Sequence, residues 1–314
     1  MAEKKPAIWK RIVGYTLFAL FSLVATFFLT FPYEPLKDTL KTQAQMQGYV
    51  LRIGSLGPGL FAVRAKNVEF SKVAPPNADE NAPDPVPMMI DSITVGPALF
   101  PPGLSVKANL LGGDITAKVT GLGATKRLRV DVEDLDLSKG NLKTASGIDM
   151  SGDIEAHLDV SVPVAAAAPN TPPEPDLTQA NGSMSLNTKG LTINGGTANI
   201  TIAQFGPEPT PVDLPKIQLG EIVGKMKIEK GLATMEDFKS KSDDLELNFT
   251  GTVKLAKRLE YSEPNMELRV KPNPEFQKRL GMLGSALSMI AADPKDPTWR
   301  MGRLTGYVGR PQFR

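Results

Sequence analysis

From Tyr49 onward, apolar and polar residues alternate at a period of two. Only extended backbone sends successive side chains to opposite faces, so this stretch is restricted to half-buried strands. Residues 245 to 255 show the pattern most fully. Leu245, Leu247, Phe249, Val253 and Leu255 alternate with Glu246, Asn248, Thr250, Thr252 and Lys254, and Gly251 takes the remaining inward position. The same alternation runs through Leu128, Val130 and Val132, and through Ile148, Met150, Ile154, Ala156, Leu158, Val160 and Val162. Gly112-Gly113 and Asn194-Gly195-Gly196 each sit between two such runs and read as hairpin turns, which makes neighbouring strands antiparallel. Glycine and proline number 28 and 27 of 314 residues, an excess that favours many turns and excludes an all-helical chain.

The first thirty residues follow a different rule. Ile12 to Phe31 holds no charged residue, and a helix of about 20 residues spans about 30 Å, the thickness of the hydrocarbon layer. Every face of the segment is apolar, so it reads as a transmembrane anchor. Its apolar part exceeds the roughly 7 to 15 residues of a signal-peptide core and no small-residue cleavage site follows, so it is read as uncleaved. Lys4, Lys5, Lys10 and Arg11 precede it against Glu3 alone, which places the N-terminus in the cytoplasm and the bulk of the chain across the membrane. That basic cluster accounts for the net charge of +2, leaving a nearly neutral body with no electrostatic footprint for nucleic acid. The chain has no cysteine. For an exported body this points to a bacterial inner membrane and periplasm, since small extracellular domains elsewhere lean on disulfides.

The expected organisation is a cytoplasmic tail over 1–11, an anchor over 12–31, a juxtamembrane helix within 32–48 and a β domain over 49–314. Leu36 and Leu40 share one face of that helix with Gln43 and Gln47. Proline-rich stretches at 74–87, 163–175 and 206–215 read as loops, and the second is the natural boundary if the sheet has two halves. Gly152, Gly182, Gly224 and Gly251 each begin a glycine, polar, apolar, polar, apolar run and are expected to open strands after turns. One amphipathic helix is expected late in the chain, with Phe276, Leu280, Leu283, Leu287 and Ile290 on its packing face, Asn273 as its cap and Pro274 in its first turn. A final strand lies within 299–314. The fold class is therefore mainly β: a single transmembrane helix, then an elongated, curved, mostly antiparallel sheet with one late helix.

The residues exclude most enzyme chemistry. One histidine (His157) and no cysteine remove thiol nucleophiles and histidine-rich metal sites, and no G-x-S-x-G, S-x-x-K, H-E-x-x-H or phosphate-binding glycine loop is present. No cofactor is expected, and the chain is read as a non-enzyme. Asp131, Glu133, Asp134 and Asp136 with Asp149, Asp153, Glu155 and Asp159 could gather oxygen ligands for a cation on adjacent strands, or form a solvated face. Arg300, Arg303, Arg310 and Arg314 could meet an anionic surface or protect an edge strand. The greasy strand faces outnumber the helices available to cover them, so the sheet either closes on itself or stays open as an apolar groove, with Leu245, Leu247, Phe249, Val253 and Leu255 along it.

The N-terminal anchor, the Phe31-Pro32-Tyr33 run after it, the Leu111 to Gly113 hairpin and the block from Gly224 to Leu283 together resemble the N component (GspN) of the bacterial type II secretion system, in its deltaproteobacterial form. The resemblance implies an accessory structural component of the secretion machine, held in the inner membrane and facing other subunits from the periplasm. That family is in turn similar to AsmA-like proteins, which implies a β groove for phospholipid as the alternative function. It supplies no catalytic residues.

Overall fold

The computed structural model describes residues 13–16, 18–19, 21–23, 26, 30–46, 48–59, 61–72, 87–98, 100–121, 123–143, 147–164, 175–200, 210–280, 284, 287 and 290–313. They form one 15-stranded sheet. The strands are β1 (Tyr49–Gly59), β2 (Ala62–Lys72), β3 (Met88–Ala98), β4 (Gly103–Leu110), β5 (Gly113–Thr120), β6 (Thr125–Asp136), β7 (Ile148–Pro163) and β8 (Asn181–Ile200). Then come β9 (Thr210–Leu214), β10 (Ile217–Glu229), β11 (Leu232–Lys241), β12 (Leu245–Lys254), β13 (Glu263–Pro272), β14 (Arg300–Tyr307) and β15 (Arg310–Phe313). Each strand pairs antiparallel with the next, except that β9 and β10 follow one another along β8. The expected β4–β5 hairpin forms, with its turn one residue earlier than Gly112-Gly113: Leu110 pairs with Gly113, and Leu111 and Gly112 take φ of 53° and 76°. Two left-handed residues give the turn whose twist matches that of the strands.

The helix α1 (Tyr33–Met46) precedes the sheet and packs on β1 without burying any residue. The described residues between 13 and 30 are helical. Among the described residues, no helix is long and apolar enough to cross a membrane. Several positions of the expected span Ile12 to Phe31 lie outside the described residues, as do most of the three proline-rich stretches. β7 and β8 flank the stretch at 163–175 and pair directly with each other, so the sheet runs through that point unbroken.

Two expectations from glycine placement are corrected. Asn194-Gly195-Gly196 makes no hairpin; it lies inside the 20-residue β8, at the point where the partner changes from Ile217 of β10 to Leu214 of β9. A Cβ at Gly196 would lie 2.3 Å from the Gly147 carbonyl oxygen, so glycine here serves close backbone approach. Of the four repeated glycines only Gly182 stands at the start of a strand, while Gly152, Gly224 and Gly251 lie within strands. Phe238 lies over the face of Gly224, where a Cβ would come within 2.3 Å of its ring.

The late helix α2 (Pro274–Arg279) begins as expected. The Asn273 side chain accepts a hydrogen bond from the Glu275 N–H at 3.1 Å, and Pro274 stands in the first turn. Phe276 and Leu280 are buried against Leu245, with Leu247 and Leu287 partly buried around them. Leu283 lies outside the described residues, and Ile290 is half-buried in a bend beyond the helix. The expected final strand is a hairpin of two, β14 and β15.

Gly251 offers a test of the ladder. Its φ is 132°, and a Cβ would lie 2.4 Å from the Asn265 carbonyl oxygen and 2.7 Å from the Met266 Cα. Gly251→Ala therefore forces β12 and β13 apart as well as straining the backbone, and is expected to cost about 2 kcal/mol or more. Urea unfolding of the two proteins measures it; an unchanged midpoint would refute the close approach.

Candidate functional site

The ladder keeps side-chain parity across the described strands through several register shifts. Starting at β2, a single cross-strand row reads Val63, Val95, Val106, Ala117, Val130 and Leu158. It continues through Met184, Met226, Met235, Gly251, Met266 and Leu304 on β8 and β10 to β14. No polar side chain interrupts it. A second row on the same face reads Ala65, Ile93, Ala108, Ile115, Val132, Ala156 and Leu186, and Phe238, Phe249 and Leu268 extend it. At about 4.8 Å between strands, the first row extends about 53 Å.

This face is covered only in places. Among the described residues, the buried apolar side chains form four clusters. Leu110, Leu111, Leu137 and Leu191 gather where the β4–β5 turn and the segment after β6 fold over one end of the strands. Val160, Val162, Ala180, Ile228 and Ala233 gather at the opposite end, with Leu177 of the β7–β8 connection against them. Between these clusters the first row stays half-buried along its length, and Val95 is exposed. The centre of the row is methionine on three adjacent strands, and methionine is the apolar side chain that adapts best to an irregular or changing partner.

The five candidate groove residues lie on this face in three environments. Leu245 and Leu247 are under α2. Phe249 is half-buried between Phe238 and Leu268. Val253 and Leu255 pack against the cluster that contains Ile228 and Ala233. A buried carboxylate secures α2 in turn: Asp244 accepts from the Gln218 N–H at 2.8 Å and pairs with Arg279 of the helix.

The opposite face is ionic. A hollow of about 630 Å³ opens there among Asp131, Glu133, Glu155, His157, Ser185, Asn187 and Lys225. The sequence places carboxylates on adjacent strands, and the structure shows bases beside them. Asp131 contacts the His157 Nδ1, and Glu155 takes Lys189 at 2.8 Å. Asp159 accepts two hydrogen bonds of 2.6 Å from Arg127 and one of 2.8 Å from Arg129. Asp136 turns back to its own loop, accepting from the Ser138 N–H at 3.0 Å. Among the described residues no group of carboxylates or His157 is arranged to hold a metal ion.

Asp131, His157 and Ser185 stand directly opposite one another on β6, β7 and β8. These are the residue types of an acyl-transfer triad, a juxtaposition missed by motif searching because the three lie on separate strands. Among the described residues, no hydrogen bond joins Ser185 to His157. A mid-sheet position also commits neighbouring backbone N–H groups to the ladder, leaving no donor pair for an oxyanion.

No family model, curated protein or solved structure matches this chain.

The arginine hydrogen bonds, Arg127 first, hold the Asp159 carboxyl well below the usual carboxylate range, against the opposing effect of desolvation. A carboxyl lowered on folding stabilises the fold above its unfolded value, about 3.9, and that contribution fades as the pH falls through the folded value. Asp159→Asn should thus lower the urea midpoint at pH 7, with the gap from the parent narrowing below about pH 4. Equal midpoints at pH 7 would show that the arginine pair contributes nothing.

Proposed function

We propose that this chain is an accessory component of bacterial type II protein secretion, anchored in the inner membrane through residues 12–31 with its N-terminus in the cytoplasm and its sheet in the periplasm. It acts as a structural and interaction protein. The observation that carries this reading is the single continuous ladder, which holds an apolar face half-open along about 53 Å and ties the other face down with ion pairs. Such a surface is built for broad contact with a partner. The order of elements also supports the resemblance: an apolar segment, a short polar helix, then one antiparallel sheet with the Leu111–Gly112 hairpin and a capped helix near its end.

Photocrosslinking in intact cells tests it, with a reactive residue in place of Phe249 on the apolar face and another in place of Arg303 on β14. Capture of secretion-apparatus subunits is the expected result. Capture of phospholipid alone at position 249 would overturn it. Removing residues 1–31 should also release the protein from carbonate-washed membranes, and retention would count against a single anchor.

A second reading, an AsmA-like site for phospholipid acyl chains, is favoured by the row Met184, Met226 and Met235, half-buried across three adjacent strands. Native mass spectrometry of the purified chain should then detect bound phospholipid, and Met226→Asp should remove it. Lipid-free protein would exclude this reading.

A further inference from the structure

We propose that the first two hairpin tips of the sheet, β1–β2 and β3–β4, are seated in the bilayer beside the apolar N-terminal segment, so that the sheet has a second membrane attachment; this rests on the anchor reading of residues 12–31. In an antiparallel meander, alternate turns fall at the same end, which brings these two tips together. Both carry apolar side chains in solvent. Phe100 is 96% exposed and Phe61 is 44% exposed, and just behind them Leu104 and Val119, paired across β4 and β5, are 49% and 41% exposed. The Phe100 ring, held outward at its loop tip, has no role in packing the sheet.

Two further observations identify the bilayer as what covers them. Phe21, within the uncharged segment, meets Phe61 edge-on with ring centroids 6.4 Å apart, which sets this tip alongside the segment. A hollow of about 530 Å³ lies at the tip between Phe61, Ala62, Gly96 and Pro97, bordered by Lys107. The charge is also one-sided. Near this end Lys118 and Lys126 have no acidic partner among the described residues, whereas Lys107 pairs with Asp114, and Arg127 and Arg129 pair with Asp159. Apolar tips with lysines behind them fit acyl chains below and headgroup phosphates above, because a lysine stem can lie along apolar surface while its ammonium reaches the interface. Later tips at the same nominal end, with Tyr261 and Tyr307, are excluded because strands rotate by roughly 20–25° each, which turns them far from the first two.

The chain lacks cysteine, so single labels can be placed in the full-length protein. Phe100→Cys and Met89→Cys, the latter exposed about 30 Å away along β3, are each labelled with a nitroxide. The proteins are reconstituted in vesicles of phosphatidylcholine and phosphatidylglycerol. Collision with oxygen should exceed collision with a water-soluble nickel chelate several-fold at position 100, and the ratio should invert at position 89. Flotation of the same samples reports the anchor separately. Protein that floats while position 100 meets nickel overturns this proposal and leaves the anchor standing; protein that does not float overturns both. A label at 100 shielded from both reagents would mean that protein covers the tip, and lipid exposure at both positions would mean that the sheet lies flat; either result overturns the proposal.

Discussion

Backbone pairing between sequence neighbours is the interaction on which the rest of this structure depends. Each strand takes its register from the one before it, so the parity of side chains is handed on from β1 to β14. A slip of one residue anywhere would exchange the greasy and charged faces of everything after it. The two faces therefore act as mutual checks. Apolar rows reward the correct register on one side, and pairs such as Arg127 and Arg129 with Asp159 reward it on the other.

Two places show how that parity survives an interruption. In β6 the inward residues step from Val132 to Leu135, and in β11 from Met235 to Phe238, three positions where two would be regular. Each step contains a bulge, with Asp134 at φ 52° and Asp237 at φ 53° taking the extra residue in a left-handed conformation. Aspartate tolerates that region better than most side chains. The intervening pairs are Glu133-Asp134 and Glu236-Asp237, so the same local solution is used twice. The bulges sharpen the local twist and restore the inward face in one residue.

Strand existence and pairing were legible from the alternation, because a period of two has one structural meaning over so many residues. The capped start of α2 was legible too, since Asn273 and Pro274 act through purely local geometry. Glycine was not. Asn194-Gly195-Gly196 carries the signature of a turn, and it forms instead an irregular passage within β8, at a register shift against β7 where another backbone comes near, a demand set by a partner almost fifty residues earlier in the chain. The bulges could have been found from the break in alternation at Glu-Asp. The juxtaposition of Asp131, His157 and Ser185 could not, because it depends on the register of three strands at once.

One margin of the described sheet is blunted. The last strand has four residues and contains Arg310 and Pro311, and proline offers no N–H to a newcomer. An open sheet with so much apolar surface is a template for fibril growth, by stacking copies rim to rim. The blunted terminal strand denies that polymer one of the two rims it requires, so the broad face can stay greasy without the molecule becoming a seed for its own precipitation.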